Sequence, residues 1–364
     1  MKKKLGVLML ALIMIVVSVA GCSSGSTSKS NQVTKVGFMY VGPADDGGWS
    51  QVHDQGRAKM VEHFNGKVET VVKENVAEEK SAVVSTIRDM VDQGCTIIFG
   101  TSYGFMEGMA EAAKEFPDVK FEHCSGYMTA DNMATYFGRI EEPRYLSGIV
   151  AGLTTKSNKI AYVAAMPIPE VVRGINAFAR GVKSVNPDAT VNVSWTNTWY
   201  DPTVEKAAAE ALIQQGCDVT AQHQDSTATM EAAKEAGKLS IGYDLSAATT
   251  MPEVYMTAPL WDYSGYYIDR VQAVIDGNWK TGQYWGGMND GIVSLDTLTS
   301  LAPGSAQSKV DTATAAIKSG TLKVFAGEIK DQTGTVRVNA GAELTDDAQL
   351  SMDWFVDNVV GSVK

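Results

Sequence analysis

Three of the chain's seven tryptophans, Trp49, Trp199 and Trp261, share their surroundings with tyrosines and aspartates. Trp49 follows Tyr40, Asp45 and Asp46 and precedes Ser50, while Trp199 runs directly into Tyr200. Tyr103, Asp225 and Asp244 stand at comparable points along the chain, and Arg173 is the single arginine near this set. Indole and phenol faces hold a flat ring by stacking, worth roughly 1–3 kcal/mol per base in nucleic-acid examples. Ionised carboxylates only accept hydrogen bonds, so they suit ring N–H groups or sugar hydroxyls. A phosphate would call for a glycine-rich nest or several cations, and these segments hold neither. The set therefore suits a neutral or weakly cationic planar heterocycle, or a sugar. Each residue also has a plainer role: Asp45 or Asp46 as a helix cap, Trp49 as a staple, Trp199 as packing, Asp244 as a turn residue. Trp195 lies in register with Val191 and Val193 and is assigned to the core.

The elements that must position these side chains are written twice, roughly 120 residues apart. Lys35-Val-Gly-Phe-Met-Tyr40 is echoed by Lys159-Ile-Ala-Tyr-Val-Ala164, and Gln93-Gly-Cys95 by Gln215-Gly-Cys217. Glu111-Ala-Ala-Lys-Glu115 returns as Glu231-Ala-Ala-Lys-Glu235. In the first half, short apolar runs at 35–41, 68–76, 95–100 and 119–124 read as strands, with helices near 48–64, 78–93 and 104–115. The second half repeats this plan with strands at 159–165, 190–198, 217–222 and 239–242. Apolar runs without strict alternation fit parallel strands covered on both faces, and βαβ alternation fits a doubly wound sheet in each half. Two lobes and a cleft follow. Ligands of open α/β sheets sit beyond the carboxyl ends of the strands, and the loops there include 40–50, 101–103, 166–173, 199–201, 223–226 and 244–246. The tryptophans, tyrosines and aspartates above all lie in or beside such loops.

Three crossovers between lobes are expected, near 135–140, 254–260 and 283–293. They divide the chain into lobe 1 (35–138 plus about 258–282) and lobe 2 (about 139–257 plus 283–364). The tail reads as strands near 284–295 and 322–329, a turn at Asp331–Gly334 and a helix over 346–360.

Ile97-Ile-Phe-Gly-Thr-Ser-Tyr-Gly104 also fits a nucleophile elbow with Ser102, for which His123 or His223 would be the base. The equivalent turn of the second half, Gln222-His-Gln-Asp225, has no serine elbow, so a small-residue βα turn explains the glycines equally well. Cys95 and Cys217 enter equivalent strands and read as small core residues, and Cys124 follows another strand. No cysteine or histidine spacing indicates a metal, and no cofactor is expected. The formal net charge is −11, and −14 without Lys2, Lys3 and Lys4, which disfavours nucleic acid and anionic lipid surfaces as partners.

The N-terminus has a basic start at Met1–Lys4, an apolar run over 5–20 and small residues before Cys22, the layout of a secretory signal. Val19-Ala-Gly-Cys22 resembles a bacterial lipobox, which implies removal of 1–21 and lipidation of Cys22. Residues 22–34 would then be a flexible tether. Together with Val36-Gly-Phe-Met-Tyr40, Asp45-Asp-Gly-Gly-Trp-Ser50, Phe116-Pro-Asp-Val-Lys-Phe121, Tyr145–Gly152 and Ile241-Gly-Tyr-Asp244, it resembles the basic membrane protein (BMP) family over nearly the whole mature chain. These are substrate-binding lipoproteins of ABC importers for purine nucleosides and related bases. The resemblance implies a type I periplasmic-binding-protein fold of two doubly wound lobes joined by a three-crossover hinge. It also implies partnership with a permease and an ATPase, a monomer held at the extracytoplasmic face of the cell membrane, and no catalysis. The family's Asp-x-x-Phe-Asn loop falls on Asp46-Gly-Gly-Trp49-Ser50, and its Ile-Gly-x-Asp on Ile241–Asp244. Its half-two aromatic falls on Trp199 or Tyr200, and a lysine of nucleoside-binding members is replaced near Trp261. The strand-end loops and the resemblance together give a candidate site of Tyr40, Asp46, Trp49, Ser50, Tyr103, Arg173, Trp199, Asp225, Asp244 and Trp261. The ligand would be a purine nucleobase, adenine-like, or a purine nucleoside. A chemoreceptor of the same fold that feeds a sensor is the alternative.

Overall fold

The computed structural model describes residues 33–363. The expected signal segment, Cys22 and most of the tether lie outside the described residues. The first repeat supplies β1 (Thr34–Met39), α1 (Trp49–Phe64), β2 (Val68–Lys73), α2 (Lys80–Asp92), β3 (Cys95–Gly100), α3 (Met106–Glu115), β4 (Lys120–Cys124) and β5 (Met133–Gly138). Their strands pair in parallel in the order β2-β1-β3-β4-β5. After α4 (Glu141–Thr154), the second repeat supplies β6 (Lys159–Ala164), α5 (Pro169–Val185), β7 (Thr190–Trp195), α6 (Pro202–Gln214), β8 (Val219–His223), α7 (Ala228–Glu235), β9 (Leu239–Ile241) and β10 (Tyr255–Thr257). Their order, β7-β6-β8-β9-β10, repeats that of the first sheet. The sequence echo has a physical basis at its glycines. Gly94 and Gly216 both adopt positive φ, +90° and +96°, ending a helix directly before a buried cysteine, Cys95 at the start of β3 and Cys217 two residues before β8.

The rest of the chain completes both sheets. It runs through β11 (Pro259–Trp261), α8 (Ser264–Asp276), β12 (Gln283–Gly286), β13 (Val293–Leu295), α9 (Ala306–Lys318), β14 (Ile329–Lys330), β15 (Val336–Val338), α10 (Asp346–Leu350) and β16 (Val359–Val360). β12 pairs with β5, so this strand extends the first sheet, whereas the sequence reading placed residues from 283 onward in the second lobe. The reason is the open edge of β5, whose Thr135 and Arg139 amides donate to Gly282 and Gly286. The third passage therefore starts after Gly286. Two crossover segments pair with each other, β11 antiparallel to β13. The expected helix over 346–360 stops at Leu350, because Val359 and Val360 instead join the free edge of β7. The helix α9 was not foreseen, although Val310, Ala313 and Ile317 form its buried stripe.

Where the chain first passes between sheets, α4 and α5 touch backbone to backbone. A Cβ at Gly148 would stand 2.1 Å from the Phe178 carbonyl oxygen, and one at Gly181 would stand 1.9 Å from that of Tyr145. Neither space admits even a methyl group. This contact sets the depth to which the first turns of both helices, with Arg144 and Arg173, are buried. Gly148→Ala should cost about 1–3 kcal/mol by overpacking. Gly265→Ala in α8, with nothing within 4 Å of the new methyl, should be neutral or slightly stabilising. Thermal unfolding of the two variants checks this, and equal midpoints would remove the steric argument.

Candidate functional site

In a sheet ordered 2-1-3-4-5 the switch point lies between the first and third strands, and ligands sit at their carboxyl ends. The loops after β1 and β3 and their counterparts after β6 and β8 converge on one cavity. The first sheet contributes Val41, Trp49, Thr101–Tyr103 and Ser125, and the second contributes Glu170, Trp199, His223, Asp225 and Tyr243. Its volume is about 20 Å³, enough for one water molecule. Admitting a planar ring therefore requires the two sets of loops to move apart.

Trp49 opens α1, and its indole Nε1 donates to the Thr101 carbonyl at 2.7 Å. Behind it, Trp261 meets the ring edge-on at 5.5 Å and stacks on Tyr263 at 5.4 Å and 13°. Tyr263 stacks in turn on His53. Trp49 is thus a fixed plate on an aromatic pile, and Trp261 supports it from behind. Trp199 and Tyr103 line the same cavity.

The aspartates divide by role. Asp46 is consumed by the helix it precedes: its carboxylate accepts from the amides of Gly48, Ser50 and Gln51 at 2.8, 2.8 and 3.1 Å. Ser50 is buried, with its hydroxyl accepting from the Gly42 amide. Tyr40 lies in the core and donates to Asp54 at 3.2 Å. These three build the loop and do not line the cavity. Asp225 does line it, and Asp244 directly follows the wall residue Tyr243. Neither carboxylate oxygen of Asp244 has a hydrogen-bond partner, although the residue is fully buried. Burial pushes both carboxyls well above the usual range; Asp244 and Asp46 push Asp225 further, while Arg144 opposes the shift at Asp244.

Backbone strain points to the same place. Among the described residues, six that are not glycine have positive φ, and four of those are asparagines, which tolerate it. The other two are Ser125, at +60°, and Asp244, at +67°. Such strain persists where the surroundings impose it and gathers at binding sites.

Several wall residues escaped the sequence reading. Glu170 is 12% exposed at the side chain and stands 3.7 Å from His223 Nε2. Burial pushes its carboxyl up to about 7, against the pull of Arg173, a Ser125 hydrogen bond and Arg144. His223 is held neutral, its pKa lowered by burial and then by Arg144 and Arg173. Both residues fall in the strand-end segments 166–173 and 223–226, Glu170 in the first turn of α5 and His223 at the end of β8, so their positions were available. Arg144 was not, because it sits within α4. Its guanidinium lies 3.7 Å over the Tyr243 ring and donates to the Gln222 carbonyl at 2.6 Å. Arg173 turns away from the cavity: it approaches Glu141 at 3.4 Å and donates to the Gln349 carbonyl. The elbow serine has no histidine partner. Ser102 Oγ donates to Glu78, and His123 Nε2 meets the Ser102 backbone oxygen at 2.8 Å.

Residues 33–326 match the family model described as Bmp, ABC transporter substrate-binding protein PnrA-like. The chain is 42% identical to a purine-binding protein of Brucella abortus, over 95% of this chain and 98% of that one. It is also 42% identical to a Haloferax volcanii protein named as an ABC transporter glucose-binding protein, over 75% of this chain and 69% of that one. Among solved structures, an ABC transporter solute-binding protein of Aeropyrum pernix superposes with a TM-score of 0.72 at 21% identity, covering 80% of this chain and 93% of that chain. That likeness speaks for the fold: two open parallel-sheet lobes of the periplasmic-binding-protein type. The chain belongs to the Bmp family of ABC transporter substrate-binding proteins, whose role is extracytoplasmic binding and not catalysis.

Proposed function

We propose that this protein is lipid-anchored through Cys22 and captures a purine, as an adenine-like base or a nucleoside, in the cleft between its lobes for delivery to an ABC permease and ATPase. The observation that carries this reading is the buried, unpartnered carboxyl of Asp244, next in the chain to Tyr243, which lines one cavity with Trp49, Trp199 and Asp225. A buried polar group without a partner is costly, and ionising it there costs more. A flat ring with N–H donors would supply the missing bonds to Asp244 and Asp225 while its faces meet Trp49 and Trp199. The likeness to a purine-binding protein over nearly the full length of both chains supports it. A sugar is the second reading, favoured by the relative named for glucose and by the same acceptor-rich, aromatic walls.

Calorimetry on the chain beginning after Cys22, with adenine, hypoxanthine, adenosine, guanosine and glucose, decides between them. At least one purine should bind in the micromolar range or tighter. Glucose binding with no response to any purine would sink the reading. Trp49→Ala and Trp199→Ala should each weaken purine binding by about 1–3 kcal/mol, and Trp195→Ala should leave it unchanged. Thermal midpoints of all three variants control for lost folding.

The raised carboxyl of Glu170 makes a separate prediction for the ligand-free protein. Its folded pKa, about 7, lies above the 4.5 of a freely solvated glutamate, so the folded state holds the proton more tightly. Stability from this group is full below the unfolded value and is lost as pH rises through about 7. Relative to Glu170→Gln, the wild type should lose roughly 3 kcal/mol between pH 5 and 8. Parallel stability curves for the two proteins would refute this. Asp244→Asn should raise the ligand-free unfolding midpoint near neutral pH and weaken ligand binding, because asparagine keeps the left-handed backbone and removes a carboxyl that must take up a proton to be buried.

A further inference from the structure

A second and far larger cavity opens beside the first. Its volume is about 460 Å³, and it shares Tyr103, Ser125 and Glu170 with the smaller one. The remaining wall comes from β5 and β12 on one side and from the start of α5 and the end of α10 on the other. That wall is mostly aromatic and aliphatic. Tyr136 and Tyr284 of this wall are braced by Tyr266 outside it, which stacks on Tyr136 at 4.6 Å and leans on Tyr284 at 4.9 Å. Trp285 is held by the guanidiniums of Arg139 and Arg173 at 3.9 and 5.1 Å, and its indole N–H is buried with no partner. At the edge, Leu350 is 47% exposed, a large apolar side chain left uncovered.

We propose that this chamber is a second subsite of the ligand cleft, and that the protein takes purines carrying a bulky apolar arm. The proposal rests on the purine reading above. The base lies at Trp49 and Trp199, and the arm passes Tyr103 and Ser125 into the chamber. A bare base leaves the chamber unfilled. A ribose would find Thr135, Gln283 and Asp347 on this wall, but its small ring would leave the larger surface of Tyr136, Phe137, Ile168, Tyr284, Trp285 and Leu350 uncovered. An apolar or aromatic arm removes that surface from water and gains the hydrophobic contribution. The Trp285 indole N–H adds one donor for an acceptor on the arm.

The test compares adenine, adenosine, 6-benzylaminopurine and 9-benzyladenine by calorimetry, since the two benzyl compounds project an arm from different sides of the ring. At least one should bind roughly tenfold or more tightly than adenine. Leu350→Trp, which fills the chamber from its exposed edge, should keep adenine affinity and lose that gain. The proposal is overturned if neither benzyl compound exceeds adenine, or if the gain persists unchanged in Leu350→Trp. Adenine binding without any arm effect leaves the purine reading standing, whereas no binding of any purine removes both.

Discussion

The backbone contact between α4 and α5 is the constraint on which the site depends. Gly148 and Gly181 let the two helices approach until carbonyl oxygens replace side chains at the crossing. Packing at such density transmits displacement instead of absorbing it. Arg144 and Arg173 project from the first turns of these helices and are almost completely buried. A wider crossing would let water reach both, and the electrostatic character of the cavity would change with it. Because α4 follows directly from β5 of the first sheet and α5 follows β6 of the second, the same contact also sits at the junction between lobes.

Around those arginines the protein assembles more carboxylate than it neutralises. Glu170, Asp225 and Asp244 are all pushed upward by burial, and Asp225 and Asp244 disfavour each other's charge. Arg144 donates from one nitrogen to the Gln222 carbonyl and lies over the Tyr243 ring, and Arg173 donates to Gln349 beside Glu141. Nε and Nη2 of Arg144 and Nε of Arg173 stay buried without a hydrogen-bond partner. Asp244 is left with both oxygens unpartnered, while Glu170 keeps a hydrogen bond from Ser125. Strain at Ser125 and Asp244 adds to this cost. Stability withheld at one place and released when a ligand supplies the donors is the expected energetic form of a receptor site. The Trp49 plate works differently: its hydrogen bond to Thr101 and the pile of Trp261, Tyr263 and His53 fix its orientation beforehand, which lowers the ordering cost of binding.

The duplicated plan was readable because it is local. Each strand is a short apolar run, and each helix of the repeats shows its stripe or its glycine stop within a dozen residues. The loops carrying Trp49, Trp199 and Asp225 followed from the strand-end rule alone. The tail was less legible. The stripe of Val310, Ala313 and Ile317 was present but modest, and the run after Leu350 looked helical until the free edge of β7 claimed Val359 and Val360. A sheet edge with unpaired amides outweighs helix propensity, and its location is a long-range fact.

Sequence alone determined the two βα repeats, the parallel sheets, the strand-end position of the site and its aromatic and acidic composition, since all of these follow from side-chain period and local turn chemistry. Only the tertiary structure decided how those residues divide their labour. Asp46, Ser50 and Tyr40 became structural because their hydrogen-bond partners lie within their own lobe, and Arg173 turned toward Glu141. Asp244 was left buried and without a partner because the nearby Trp261 indole N–H donates to the Tyr243 hydroxyl instead. Whether a carboxylate caps a helix or waits for a ligand depends on which donors the fold brings within about 3 Å, and that distance is set by packing between segments far apart in the chain.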